Sequence, residues 1–141
     1  MALTSEATTV WTGDLFSGSG HLTLDSSNAA SFPVNWKARS DGETGTTNPE
    51  ELLGGAHAAC YSMAFSNVLA SNGFPPETIQ TTAAVTFDPA QGITGSHLLV
   101  NAAVPGISEE DFQRFADEAK RTCPVSRALA GITITLEASL A

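Results

Sequence analysis

Three short stretches, 8–11, 21–25 and 34–38, alternate apolar and polar residues and are bounded by Gly, Ser or Asn. Alternation of period two puts neighbouring side chains on opposite faces, so each stretch predicts a strand, and together an antiparallel sheet. The tract 40–47, Ser-Asp-Gly-Glu-Thr-Gly-Thr-Thr, is a loop by composition. Asn48-Pro49-Glu50-Glu51 then reads as a helix start. Asn48 can cap, Pro49 suits the first helical position, and Glu51 stands where a capping box places an acid. The helix is expected to reach about Asn72, with Gly73 as its left-handed stop and Pro75-Pro76 barring continuation. Between Leu52 and Ala70 it carries almost no charge. A helix apolar on all sides has to be buried over most of its surface. A wrapped sheet could do this, but a partner chain does it more readily, and a dimer is expected.

Further along, 82–87 and 97–103 predict a hairpin across Asp88-Pro89-Ala90-Gln91-Gly92. Ser108 and Asp111 form a capping pair for a second helix, with Phe112, Phe115, Ala116 and Ala119 as its apolar stripe. Pro124 interrupts that helix at Cys123 and starts a short third one to Leu129; Gly131 ends it, and 132–136 alternate as a last strand. Strands in blocks around two main helices give an α+β fold, antiparallel strands wrapped on two central helices, in one domain spanning 1–141.

Composition narrows the function. No stretch is long and apolar enough to cross a bilayer, and the first residues lack the basic patch and apolar run of a secretory signal, so a cytoplasmic location is the default. The formal charge of −9 repels phosphate backbones and anionic lipid, which argues against nucleic-acid or membrane partners. Cations are scarce: before Arg114 only Lys37 and Arg39 occur.

The two cysteines, Cys60 and Cys123, are too few for a disulfide scaffold, and either could be a buried core thiol. Cys60 falls mid-helix after a run of tiny residues, Gly54-Gly55-Ala56, that lets another backbone or a slim substrate approach. Cys123 precedes Pro124, beside a helix N-terminus that favours a thiolate. If Cys60 reacts as a thiolate in apolar surroundings, a cation has to reach it. Arg39 is the better candidate because it stays charged and offers a fixed fork of donors, and Glu50 or Glu51 could pair with it. A solvated charge for Arg39 and helix-end stabilisation for the two acids are the plainer alternatives. His57 lies three residues before Cys60 on the same helix face. A Cys–His catalytic pair is disfavoured by that side-by-side placement, and a pocket-lining or capping role is expected. A zinc site of His57, Cys60, His97 and Cys123 lacks any Cys-x-x-Cys spacing. No metal or other cofactor is called for.

Three separated motifs now stand out: Thr47-Asn48-Pro49-Glu50-Glu51-Leu52-Leu53, then Ala56-His57-Ala58-Ala59-Cys60-Tyr61-Ser62-Met63-Ala64, then Cys123-Pro124-Val125-Ser126-Arg127-Ala128-Leu129. In this order they resemble the OsmC/Ohr family of hydroperoxide-detoxifying proteins, and the likeness runs from about Trp11 to the last strand. His57 and the loop length after Arg39 are more similar to the OsmC branch. The resemblance implies an intertwined homodimer with active sites at the subunit interface. It also implies that Cys60 is the peroxidatic thiol, Cys123 the resolving one, Arg39 the arginine before the first long helix and Glu50 its acidic partner. Electrons would come from an external dithiol, lipoyl groups being implicated in the Ohr branch. On this reading Leu52, Leu53, Met63 and Phe65, with His57, would line a pocket favouring alkyl or fatty peroxides. Ten residues along one helix separate Glu50 from Cys60 by about 15 Å, so the Arg39–Glu50 pair serving a given Cys60 is expected from the other subunit. A dimeric binder of a small apolar ligand and a thiol redox sensor are the rival readings.

Overall fold

A computed structural model describes residues 1–43 and 45–141; Thr44, in the expected loop, lies outside the described residues. The chain divides into two compact units, Met1–Pro49 and Glu50–Ala141. In the first, β1 (Thr8–Thr12), β2 (Ser19–Thr23) and β3 (Ser31–Val34) form an antiparallel sheet in the order β1-β2-β3. All five residues of β1 are exposed, Val10 and Trp11 among them.

The third expected strand is displaced. The ladder ends at Val34, and 36–40 form a short helix, α1 (Trp36–Ser40). Asn35 decides this: in extended conformation, its side-chain oxygen accepts from the Ala38 N–H at 2.7 Å, a cap that makes helix the better use of the residues following it. The alternation of Val34, Asn35 and Trp36 mimicked a strand. The Ala38 carbonyl accepts from the Asn48 side-chain amide at 3.1 Å. That bond closes the intervening loop onto α1 across ten positions.

The second unit carries most of the secondary structure. The long helix α2 runs Pro49–Ser71, with Glu50 and Glu51 in its first turn, where carboxylates complement the helix dipole. Gly73 follows it at φ +89°, a conformation only glycine adopts without strain. The hairpin of β4 (Thr78–Asp88) and β5 (Gly92–Ala103) is longer than the alternation predicts. It extends from Thr78 opposite Ala103 to Asp88 opposite Gly92, with an irregularity between Thr86 and Phe87. Asp88 closes its turn by accepting from the Ala90 and Gln91 N–H groups at 2.7 and 3.0 Å.

Next come α3 (Glu109–Thr122), capped by Ser108 as expected, the short α4 (Pro124–Ala128) and β6 (Thr133–Leu140). The strand order is β4-β5-β6, and β6 runs parallel to β5, which corrects the all-antiparallel expectation. The reason is the connection: two helices intervene between β5 and β6, and a crossover of that length returns the chain in its original direction.

Helices α2 and α3 supply one side of a continuous core. Tyr61, Phe65 and Leu69 of α2 meet Phe112, Phe115, Ala116 and Ala119 of α3, with Leu98, Val100 and Ala102 of β5 and, at its edge, Cys123. The Phe65 ring sits 5.6 Å from that of Tyr61 and 5.5 Å from that of Phe112. Near the start of α2, a Cβ at Gly54 would stand 2.9 Å from the Ala83 carbonyl oxygen, so glycine there permits a close approach to β4. Only one face of α2 is covered in this way. Gly54, His57, Tyr61, Phe65 and Leu69 are buried at helical spacing, whereas Ala56, Ala59 and Met63 on the other side are open, Met63 at 73% exposure.

Candidate active site

Cys60 and Cys123 are both free thiols and come together. Cys60 projects from the middle of α2 and is half-buried at the core edge; Cys123 is fully buried. Pro124 sets the position of Cys123: it cannot continue α3, so Cys123 becomes at once the last cap of α3 and the first of α4. Its N–H still donates to the Ala119 carbonyl at 2.9 Å, and its own carbonyl accepts from the Arg127 N–H at 3.0 Å. The thiol is thereby held at a sharp bend facing α2.

The electrostatics of Cys60 are mixed. Burial pushes its thiol above the ordinary value; the backbone N–H of Val125 bonds toward the sulfur and pulls the other way. The neighbouring Cys123 pushes it up again, through a hydrogen bond and through the cost of a second negative charge nearby. A backbone N–H at the start of α4 is thus a built-in stabiliser of a thiolate on Cys60, opposed by a larger desolvation cost.

One turn away on α2, His57 is completely buried, and both its ring nitrogens are engaged. Nδ1 lies 2.7 Å from Ser96 Oγ on β5 and Nε2 lies 2.8 Å from Ser126 Oγ on α4. A neutral imidazole has one donor and one acceptor, and each serine hydroxyl can play the complementary part. Burial depresses the His57 pKa, which keeps the ring neutral. With both nitrogens occupied, no lone pair is left for the Cys60 proton, and the Cys–His pair is ruled out on geometry. Next to Cys60, Tyr61 donates from its hydroxyl to the Ala116 carbonyl at 2.9 Å, joining α2 to α3. Burial, with Asp117 and Cys123 nearby, raises the phenol's pKa well above its usual value.

The other sequence candidates sit in different surroundings. His97 points to the opposite face of β5 from Ser96, where it meets Thr135 at 2.6 Å, so the four proposed zinc ligands do not converge. Among the described residues no group of three or more His, Cys, Asp or Glu side chains could hold a metal ion. Phe65 is enclosed in the core between two rings and presents no surface to a pocket; Leu52 and Leu53 are half-buried, and Met63 is open. Glu50 is buried in the first turn of α2. Arg39 stands half-buried in the last turn of α1, a helix that the sequence pattern did not predict.

Ser96, Ser126 and the Val125 N–H were missed in the sequence. A signal existed for Ser96, the one polar residue on the inward row Ser96, Leu98, Val100 and Ala102. It fell outside the expected strand, which began at His97. Ser126 repeats after Cys123 the three-residue interval that separates His57 from Cys60.

The chain belongs to the OsmC-like protein family, whose model matches residues 41–137. It is 43% identical to Peroxiredoxin OsmC of Escherichia coli over 133 residues, 92% of each chain. Its identity to the Organic hydroperoxide resistance protein-like 1 of Staphylococcus saprophyticus is 30% over 116 residues, 79% of this chain and 80% of the relative. Among solved structures, the organic hydroperoxide resistance protein OhrB of Bacillus subtilis superposes with a TM-score of 0.71 at 28% identity, covering 97% of this chain and 98% of that one. No helix among the described residues is long and apolar enough to cross a membrane.

Proposed function

We propose that this protein is a thiol peroxidase that reduces organic hydroperoxides to alcohols. The observation that carries the reading is the meeting of two free thiols, one under a helix-start N–H, in a chain whose relatives are named for peroxide chemistry. The Cys60 thiolate attacks the distal peroxide oxygen; the O–O bond breaks, the alkoxide leaves and takes a proton, and Cys60 becomes a sulfenic acid. The Cys123 thiol then displaces water from that acid, forming a Cys60–Cys123 disulfide. An external dithiol, for which a lipoyl-type compound is the candidate, returns both thiols and is itself oxidised to a disulfide.

Surroundings that raise the Cys60 pKa make a cation necessary. We assign that role to Arg39 with Glu50 as its carboxylate partner, the guanidinium also stabilising the leaving alkoxide. Because ten residues of continuous helix separate Glu50 from Cys60, about 15 Å of rise, the pair serving a given Cys60 is assigned to the other subunit of a homodimer. The open face of α2 around Met63 and the exposed apolar residues of β1 support such a dimer. Leu52, Leu53 and Met63 would receive the alkyl tail, which favours organic peroxides over hydrogen peroxide. The groove beside the C-terminal half of α2 is lined by polar residues, Ser66, Asn67 and Glu77 among them, together with the apolar Met63, Pro76 and Ile79.

The test is a thiol count. One equivalent of an organic hydroperoxide added to reduced protein should remove both free thiols, a dithiol should restore them, and Cys60→Ser should abolish the loss. Unchanged titres in the wild-type protein would refute the assignment.

A further inference from the structure

We infer that His57 is a positioning residue for disulfide closure: through Ser126 it holds α4 so that Cys123 stays within bonding reach of Cys60. The inference rests on the peroxidase reading for its purpose, though not for its geometry. Helix α4 has five residues, too short to persist without tertiary support, and it follows a proline break. Cys123 sits at that break, so its position depends on what anchors α4.

Among side-chain bonds, the His57 Nε2 contact to Ser126 Oγ at 2.8 Å is such an anchor. His57 is in turn fixed from the other side by Ser96 on β5 at 2.7 Å. The three residues are 0%, 6% and 1% exposed, in the order His57, Ser126, Ser96, so water does not compete for these bonds. The spacing completes the argument. His57 precedes Cys60 by three residues on α2 and Ser126 follows Cys123 by three on α4, so the sulfur pair and the His–Ser pair link the same two helices one turn apart. Holding one link holds the other in register, which is how a fixed scaffold turns a chance encounter of two thiols into a rapid intramolecular step.

The experiment measures closure with two oxidants. Diamide, a diazene, needs no peroxidase chemistry: Cys60 adds across its N=N bond, and Cys123 then displaces the hydrazine to leave the disulfide. An organic hydroperoxide tests the same closure from the sulfenic acid, whose build-up is read by trapping with dimedone. In Ser126→Ala the first step at Cys60 should change little, while closure slows about tenfold or more with either oxidant. Ser126→Thr, which keeps the hydroxyl, should restore most of the rate. If Ser126→Ala alters the circular dichroism spectrum, His57→Gln, read in the same way, decides the matter. Closure at the wild-type rate with diamide would overturn the inference, as would equal slowing of both steps, the mark of a general loss of structure. A wild-type protein that closes with diamide and ignores hydroperoxide, with Ser126→Ala still slow, would leave the positioning role standing and remove the peroxidase reading.

Discussion

His57 makes the stability of this fold sensitive to acid. Its folded-state pKa lies below the ordinary value near 6.5, because burial disfavours the charged ring. The unfolded chain therefore binds this proton first as pH falls. Stability from this group is complete above about pH 6.5 and is lost between there and the depressed folded value, at up to about 1.4 kcal/mol per pH unit. Urea unfolding at a series of pH values should show that slope in the wild type and a shallower one in His57→Gln; equal slopes would mean that the ring titrates normally. At Cys60 the balance of burial against the Val125 N–H leaves the thiol above its ordinary pKa unless a cation approaches. Arg39→Ala should accordingly move the midpoint of the pH dependence of Cys60 alkylation upward by about one unit or more. An unmoved midpoint would assign the thiolate to other groups.

At the scale of elements, α2 is the part that the rest is built against. Gly54→Ala tests its approach to β4. At an open helical position the change would stabilise by up to about 1 kcal/mol, but here the new methyl group meets the Ala83 carbonyl. Net destabilisation of about 1 kcal/mol or more is expected in denaturant titrations. The helices were legible where caps and stripes agreed. Asn48 to Gly73 marked α2 nearly to the residue, and Ser108 with Phe112, Phe115, Ala116 and Ala119 marked α3 and its buried face. Strands were harder to read. Asn35 turned an alternating run into a helix start, and β4 and β5 overran their alternating segments because pairing with a neighbour extends a ladder beyond what one strand's pattern displays. The thiol pair could be named from its motifs. The serines that flank His57 could not, since their partners lie 39 and 69 positions away and no local periodicity encodes such a contact.

For the molecule as a whole, the surface left open carries the account of assembly. The second unit buries one stripe of α2 and leaves Ala56, Ala59 and Met63 uncovered on the other. A homodimer that covers this face should sediment as twice the chain mass, and Met63→Glu, which places a charge there, should shift it toward monomer. If the Arg39–Glu50 pair serves the neighbouring subunit, that variant should lose peroxide turnover together with its partner. A monomeric wild-type protein with full activity would refute both points.

The central claim is that Cys60 takes an oxygen atom from the peroxide and Cys123 then closes on it. Intact-mass spectrometry after one equivalent of organic hydroperoxide addresses both halves. The account predicts that the wild-type chain loses two hydrogen atoms, with a Cys60–Cys123 link in the peptide map, and that Cys123→Ser instead gains one oxygen atom on Cys60. A wild-type mass that stays unchanged, or oxygen found elsewhere with Cys60 still reduced, would contradict it.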